Sequence, residues 1–213
     1  MSKYGYVGKE SDIPQQAFKA NAGVLSVNDH LALSQENKLT QYGQLEHLQT
    51  QTVSSATADF TALQETTYNV HLFTFTDIHF GSQSEFGYKL SNDNGSTFEN
   101  GYQFANQRGI ASGSFSERRS TSQNSARLFG DIDSATNSLG NGYMYLYNAG
   151  DSAKYTHSTS HCVFVDASDT PAMEFGAQVY DHAETIHAIR FGLGTGTIAM
   201  TSATISLYGI RSY

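Results

Sequence analysis

The chain has 213 residues, with 12 Lys and Arg against 20 Asp and Glu and a formal charge of −8. That balance argues against nucleic acid as the main partner, since phosphate binding needs clustered cations and the tightest cluster is Arg118-Arg119, with Arg108 and Arg127 in the wider neighbourhood. The single cysteine, Cys162, excludes an intramolecular disulfide framework and a cysteine-based zinc site; within His161-Cys162-Val163-Phe164-Val165 it reads as a buried apolar residue.

The amino terminus, Met1-Ser2-Lys3-Tyr4-Gly5-Tyr6, has no apolar h-region, and nothing downstream approaches the ~20 apolar residues of a membrane span. The expectation is a chain made in a cytoplasm, without a membrane partner. Residues 1–22 carry Gly5, Gly8 and Pro14 among polar residues and show no sustained period, which predicts a segment structured only on meeting a partner. From Gly23 to Leu33, Leu25, Val27, Asp29, Leu31 and Leu33 fall on one face of an extended strand, with Ser26, Asn28 and His30 on the other. Gln35 to Gln51 is polar again, and Leu39, Leu45 and Leu48 mark a short, weak helix.

Of the 26 Phe and Tyr residues, 4 lie before residue 60. We therefore divide the chain into an extended N-terminal arm, residues 1–54, for docking or subunit interlocking, and a β-domain, residues 55–213. An apolar stripe without its own core must be covered by something. It either packs back on its own domain or pairs with another subunit or protein, as in strand addition to a sheet edge.

Beyond residue 52 short strands follow quickly. Ser55 to Thr61 is the first. Tyr68 to Phe80 is the strongest, with Tyr68, Val70, Leu72, Thr74, Thr76, Ile78 and Phe80 on one face and Phe73 and Phe75 on the other, which predicts cover on both sides near its middle. Glu85 to Ser91 is closed by Asn92-Asp93-Asn94-Gly95, a hairpin signal because Asn and Gly tolerate positive φ. Phe98 to Ala105 is a strand, and the polar stretch from Gln107 to Asn124 reads as a long surface loop. Ala126 to Ile132 and Tyr143 to Asn148 flank a Gly/Asn turn; Tyr143, Tyr145 and Tyr147 share one face and Met144 and Leu146 the other. Lys154 to Asp166, Ala172 to Tyr180, Ile186 to Gly192 and Ala203 to Ile210 complete the series. About eight to ten short strands separated by turn signals predict an all-β fold, an antiparallel, jelly-roll-like β-sandwich.

No coherent active site emerges from the residues. Paired carboxylates for glycoside cleavage must face each other across ~5–10 Å, and the acids here look scattered singly in turns and at strand ends. Ser160-His161-Cys162 places a base beside two nucleophiles, but neighbours on a strand point to opposite faces and cannot form the activating hydrogen bond. His157 and His161 stand ~13 Å apart on a strand, too far to share zinc, and His182 and His187 straddle a turn. Asp131 to Asn137 resembles the start of a calcium loop without its Gly and bidentate Glu, and reads as a carboxylate-capped turn. Gly192-Leu193-Gly194-Thr195-Gly196 precedes no helix and is no phosphate loop. Tyr143, Tyr145 and Tyr147 suit either a packed sandwich face or stacking on sugar rings. We expect no metal, no cofactor and no enzymatic activity.

The carboxyl-terminal stretch Ile189-Arg190-Phe191-Gly192-Leu193-Gly194-Thr195-Gly196-Thr197-Ile198, followed by Ala203-Thr204-Ile205-Ser206-Leu207-Tyr208-Gly209-Ile210, resembles the end of a group of virion structural proteins of marine and cyanobacterial tailed phages. Their pattern is "F-x-x-G", then "G-x-I", then a closing "I-x-L-Y-G-I" strand. Tyr143-Met144-Tyr145-Leu146-Tyr147-Asn148 is similar to their "GYLYLFN" strand. Ala58-Asp59-Phe60-Thr61 with Tyr68-Asn69-Val70 is similar to their "DFTSGI…TYDVY" opening, and Tyr4-Gly5-Tyr6-Val7-Gly8 to their "Y-x-G" leaders.

The resemblance covers residues 55–213 and, loosely, the arm. It implies a jelly-roll virion component, a homotrimer used as a capsid decoration (cement) protein or as a tail-associated appendage, and it carries over no catalytic residue. On this reading Leu25, Val27, Leu31 and Leu33 anchor the arm on the major capsid protein or a tail protein, and Tyr4 and Tyr6 contact that partner. The alternative is a tail fibre or adhesin whose β-domain binds a host glycan through the loops at 107–124 and 133–142. A non-viral carbohydrate-binding module is a third possibility.

Overall fold

The structure, a computed structural model, describes Val27, Asn28, Leu31 and residues 45–54, 57–192 and 200–210. The chain divides into two units, Met1–Gln44 and Leu45–Tyr213. In the first, the backbone at Val27, Asn28 and Leu31 is helical, and Val27 and Leu31 are exposed. The extended strand expected from Gly23 to Leu33 is thereby corrected at these positions. A helix satisfies its backbone N–H and C=O groups locally, whereas a lone strand needs a neighbour. The four-residue spacing of Val27 and Leu31 keeps them on one face of a helix as well.

The second unit holds twelve strands: β1 Leu45–Val53, β2 Ala58–Phe60, β3 Val70–Phe80, β4 Ser84–Ser91, β5 Tyr102–Ile110, β6 Phe115–Gln123, β7 Ala126–Ile132, β8 Gly140–Tyr147, β9 Tyr155–Val165, β10 Pro171–Ala183, β11 Ala188–Gly192 and β12 Met200–Ile210. They form an eight-stranded sheet, β1-β12-β3-β8-β9-β10-β5-β6, and a four-stranded sheet, β2-β11-β4-β7. Every pairing between named strands is antiparallel. The chain crosses from one sheet to the other at each step from β1 to β5, from β6 to β8 and from β10 to β12. This repeated crossing produces the expected jelly-roll-like sandwich.

Phe191 on β11 lies at the centre of the core. Its ring centroid is 5.0 Å from Phe73, 5.2 Å from Phe75, 5.9 Å from Phe86, and 6.1 Å from both Phe60 and Tyr88. These aromatic pairs each add ~0.5–1.5 kcal/mol beyond area burial and lock the two sheets face to face. The closing strand β12 buries Ile205 and Leu207, while Gly209 lies under the Tyr68 ring: a Cβ there would come within 2.5 Å of it.

Four sequence expectations change. Leu45–Val53, assigned to the arm and in part to a weak helix, is a strand paired along β12 from Ile210 to Ala203, with an irregularity at Leu48. The β-domain thus starts at Leu45 rather than at residue 55, because pairing with β12 outweighs the weak helical spacing of the leucines. On β3, Asp77 adopts a positive φ of 57° and the register to β8 shifts between Phe75 and Ile78. The inward set is therefore His71, Phe73 and Phe75 before the irregularity and Ile78 and Phe80 after it, with Leu72 and Thr74 turned outward and only half-buried. Cover on both sides is not found.

Asn92–Gly95 is a tight turn, with Asn94 and Gly95 at positive φ, but β4 and β5 lie in different sheets, so it joins sheets rather than closing a hairpin. Asp93 caps this turn: the Thr97 amide (2.9 Å) and the hydroxyls of Ser91 and Thr97 (both 2.7 Å) donate to it, holding its carboxyl down at about 2. Finally, the loop expected from Gln107 to Asn124 is the end of β5 and the whole of β6, a hairpin turned at Gly113, where φ is 98°. Its side chains are polar on both faces, so the sequence carries no apolar alternation there.

Candidate functional site

The outer face of the large sheet carries the exposed apolar surface of the sandwich. Along β9, Tyr155, His157, Thr159, His161 and Val163 point outward, and the small residues Thr156, Ser158, Ser160 and Cys162 point inward. Antiparallel register sets these positions into rows. One row runs Tyr143, His161, Phe175, Gln107, Glu117 across β8, β9, β10, β5 and β6. The next runs Tyr145, Thr159, Ala177, Ala105, Arg119. A third runs Tyr147, His157, Val179, Gln103, and on the far side of the first lie Asn141, Val163, Met173, Gly109 and Phe115.

The rings touch along and across the strands. Tyr145 stacks on Tyr147 with centroids 6.3 Å apart, Tyr143 meets Tyr145 edge-on at 5.9 Å and His161 at 6.0 Å, and His161 meets Phe175 at 6.1 Å. Phe115 is 69%, Val163 50%, Tyr155 49%, Tyr143 43% and Phe175 41% exposed. Single exposed apolar side chains are ordinary, but Phe115, Val163, Tyr143 and Phe175 occupy neighbouring rows of one sheet face, which makes that face the candidate interaction surface.

Two hollows indent this face. A groove of about 540 Å³ is walled by Phe115, Leu139, Val163, Pro171, Met173 and Ile110 and is almost wholly apolar. A trough of about 650 Å³ lies one to two rows away, floored by Ala105, Ala177 and Val179 and bordered by Gln103, His157 and Arg119.

Behind the same strands the interior is polar. Asn106 Nδ2 donates to Glu174 Oε1 (2.9 Å), Gln178 Nε2 to Asn106 Oδ1 and to Ser160 Oγ (both 3.1 Å), and Ser158 Oγ to Gln178 Oε1 (2.5 Å). The hydroxyls of Tyr88 and Ser158 lie 2.8 Å apart. Arg108 reaches Asp131 at 2.7 Å and Asp166 at 3.0 Å, and Arg118 also binds Asp131. Burial opposes ionisation of Asp131, but Arg118, Arg108 and Arg127 prevail and hold its carboxyl below the usual range. Glu174 is fully buried, and burial pushes its carboxyl up despite Asn106 and Arg127. This network fastens β5, β7, β9 and β10 beneath the outer face and so fixes the rows above it.

The structure separates the catalytic candidates. Ser160 and Cys162 face inward and His161 outward, as the strand pattern predicts, and burial pushes the Cys162 thiol up. His182 contacts Asp181, whereas His187 contacts Glu65 at 2.7 Å. Asp133 accepts from the Ala135 amide (3.2 Å) and the Ser138 hydroxyl (3.0 Å), which makes 133–138 a capped turn. Among the described residues no group of three or more His, Cys, Asp or Glu is arranged to hold a metal.

Of the docking residues named from sequence, Tyr4, Tyr6, Leu25 and Leu33 lie outside the described residues, as do Leu193–Gly196 of the glycine stretch. Val27 and Leu31 are helical and exposed.

Sequence reasoning missed two features. Glu174 is a mid-strand, inward acid rather than one in a turn. Phe115, Val163 and Phe175 form a surface rather than core. For Val163 the signal was the inverted alternation of 155–163, where the small residues Thr156, Ser158, Ser160 and Cys162 are buried and Tyr155, His157, His161 and Val163 exposed. No protein-family model matches this chain, and no curated protein is significantly similar to it.

Proposed function

We propose that this protein is a structural subunit of a phage particle, a decoration or cement protein whose N-terminal arm binds the major capsid shell and whose sandwich associates with neighbouring copies as a trimer. The observation that carries this reading is the contiguous exposed set on the outer face of the large sheet, centred on Phe115, Val163 and Phe175. A polar rim around an apolar centre suits association between copies. The resemblance of the Phe191 and Ile205–Ile210 segments to virion proteins supplies the particle. The apolar groove beside Phe115 receives an outward apolar side chain of the next copy. Three weak arm contacts linked through one trimer then bind far more tightly than one arm alone.

The test has two arms. Sedimentation of the full chain gives a trimer, and the paired change Phe115→Glu with Val163→Glu gives a folded monomer; a wild-type monomer refutes the association. Purified particles stripped of the protein rebind the full chain but not a chain lacking residues 1–44. Rebinding by the truncated chain refutes the role of the arm.

A further inference from the structure

The trough on the outer face has a chemistry that the particle reading does not use. Its floor is a patch of methyl groups from Ala105, Ala177 and Val179 on the neighbouring strands β5 and β10. The Tyr145–Tyr147 pair stands on the β8 side, with the Tyr147 hydroxyl 3.4 Å from Thr159 Oγ1. Arg119, Ser120 and Thr121 on β6 form the opposite wall. Four strand spacings of ~4.8 Å separate β8 from β6, so the face measures ~19 Å across. The trough volume of about 650 Å³ falls within the ~300–1,000 Å³ usual for small-ligand sites.

Three observations decide the occupant. First, the floor offers apolar surface on which the C–H face of a sugar ring can lie, with the Tyr145–Tyr147 rings on the same sheet face beyond it, while Gln103, His157, Ser120 and Thr121 offer hydrogen-bonding groups for its hydroxyls. Second, Arg119 lies 2.8 Å from Glu117 with both side chains exposed, so a carboxylate on the same wall opposes a sulfated or acidic polymer. Third, β8, β9, β10 and β5 are each paired on both sides, and the free ladder of the edge strand β6 is on the side away from β5, so no backbone ladder opens between the trough's walls for an extended peptide.

The geometry points to a binding site for a neutral hexose oligosaccharide in the trough between the Tyr145–Tyr147 pair and Arg119. The site stands on the sheet face rather than on loops, and it holds whether or not the chain rides on a particle.

Titration calorimetry with the full chain tests it, using malto-, cello-, laminari-, manno- and galacto-oligosaccharides of about four to six units, a length matched to the ~19 Å between β8 and β6, and a sulfated galactan as the charged control. The expected result is saturable binding of at least one neutral series, weakened more than about tenfold by Ala177→Phe and by Ala105→Tyr, which fill the trough from exposed positions (tenfold being ~1.4 kcal/mol). Lys154→Ala, at an exposed turn outside the trough, leaves the affinity unchanged. His157→Ala, which shortens the rim without filling the floor, provides a second reading should a filling variant misfold, and it too weakens binding. Absence of binding by every neutral series overturns the inference. So does binding of the sulfated polymer alone, or binding that survives both the filled trough and the His157 change.

Discussion

Phe191 is enclosed by five aromatic rings from both sheets, and Phe175, equal in size, stands 41% exposed on the outer face. Truncating the first removes packing that nothing can replace, so Phe191→Ala lowers stability by ~3–5 kcal/mol. Phe175→Ala stays within ~0.5 kcal/mol of the parent chain. Urea unfolding of the two variants distinguishes them, and equal losses contradict the placement of the core. Glu174 gives a pH-dependent counterpart. Burial raises its folded pKa above the ordinary 4.5, so its contribution to stability is complete below that value and is lost as pH rises through the folded pKa. Glu174→Gln, which resembles the protonated acid, matches the parent near pH 4 and is the more stable chain at pH 8. A parent that gains on the variant between those pH values contradicts the sign.

At the level of elements, strand existence was legible wherever an apolar alternation faced the core. The alternations Phe73–Phe75, Met144–Leu146 and Ile205–Leu207 each marked a true strand. What was not legible had physical causes that side-chain patterns do not record. Beyond Phe115, β6 is polar on both faces and is held by backbone pairing with β5, so residues 116–123 carry no apolar period. The irregularity at Asp77 reverses the inward set of β3, which a strict two-residue alternation cannot anticipate. β1 is defined by β12, more than a hundred and fifty residues away in sequence, and its own leucines suggested a helix.

The reassignment of β1 has a direct consequence. A chain starting at Leu45 keeps the pairing along β12, whereas one starting at residue 54 exposes that edge and loses Val53 from the core. The first melts as the full chain does; the second melts lower and aggregates. Equal melting of both truncations returns Leu45–Val53 to the arm.

Over the whole molecule, the sandwich was readable from strand spacing, while the crossing between its sheets and the surface that gives the molecule its candidate role were not. That surface depends on five strands brought into rows by register, which sets Gln103 opposite Val179 across β5 and β10. Its apolar groove and its neutral trough are adjacent yet chemically unlike, which is why we assign them to different partners. The arm, the trimer and the shell make one account, and the number of chains per particle tests it most directly. Quantitative mass spectrometry of purified particles should find the full chain in many copies, in proportion to the major shell protein, and a chain lacking residues 1–44 absent from particles although folded. A full chain missing from particles, or a truncated chain present in equal number, contradicts the account.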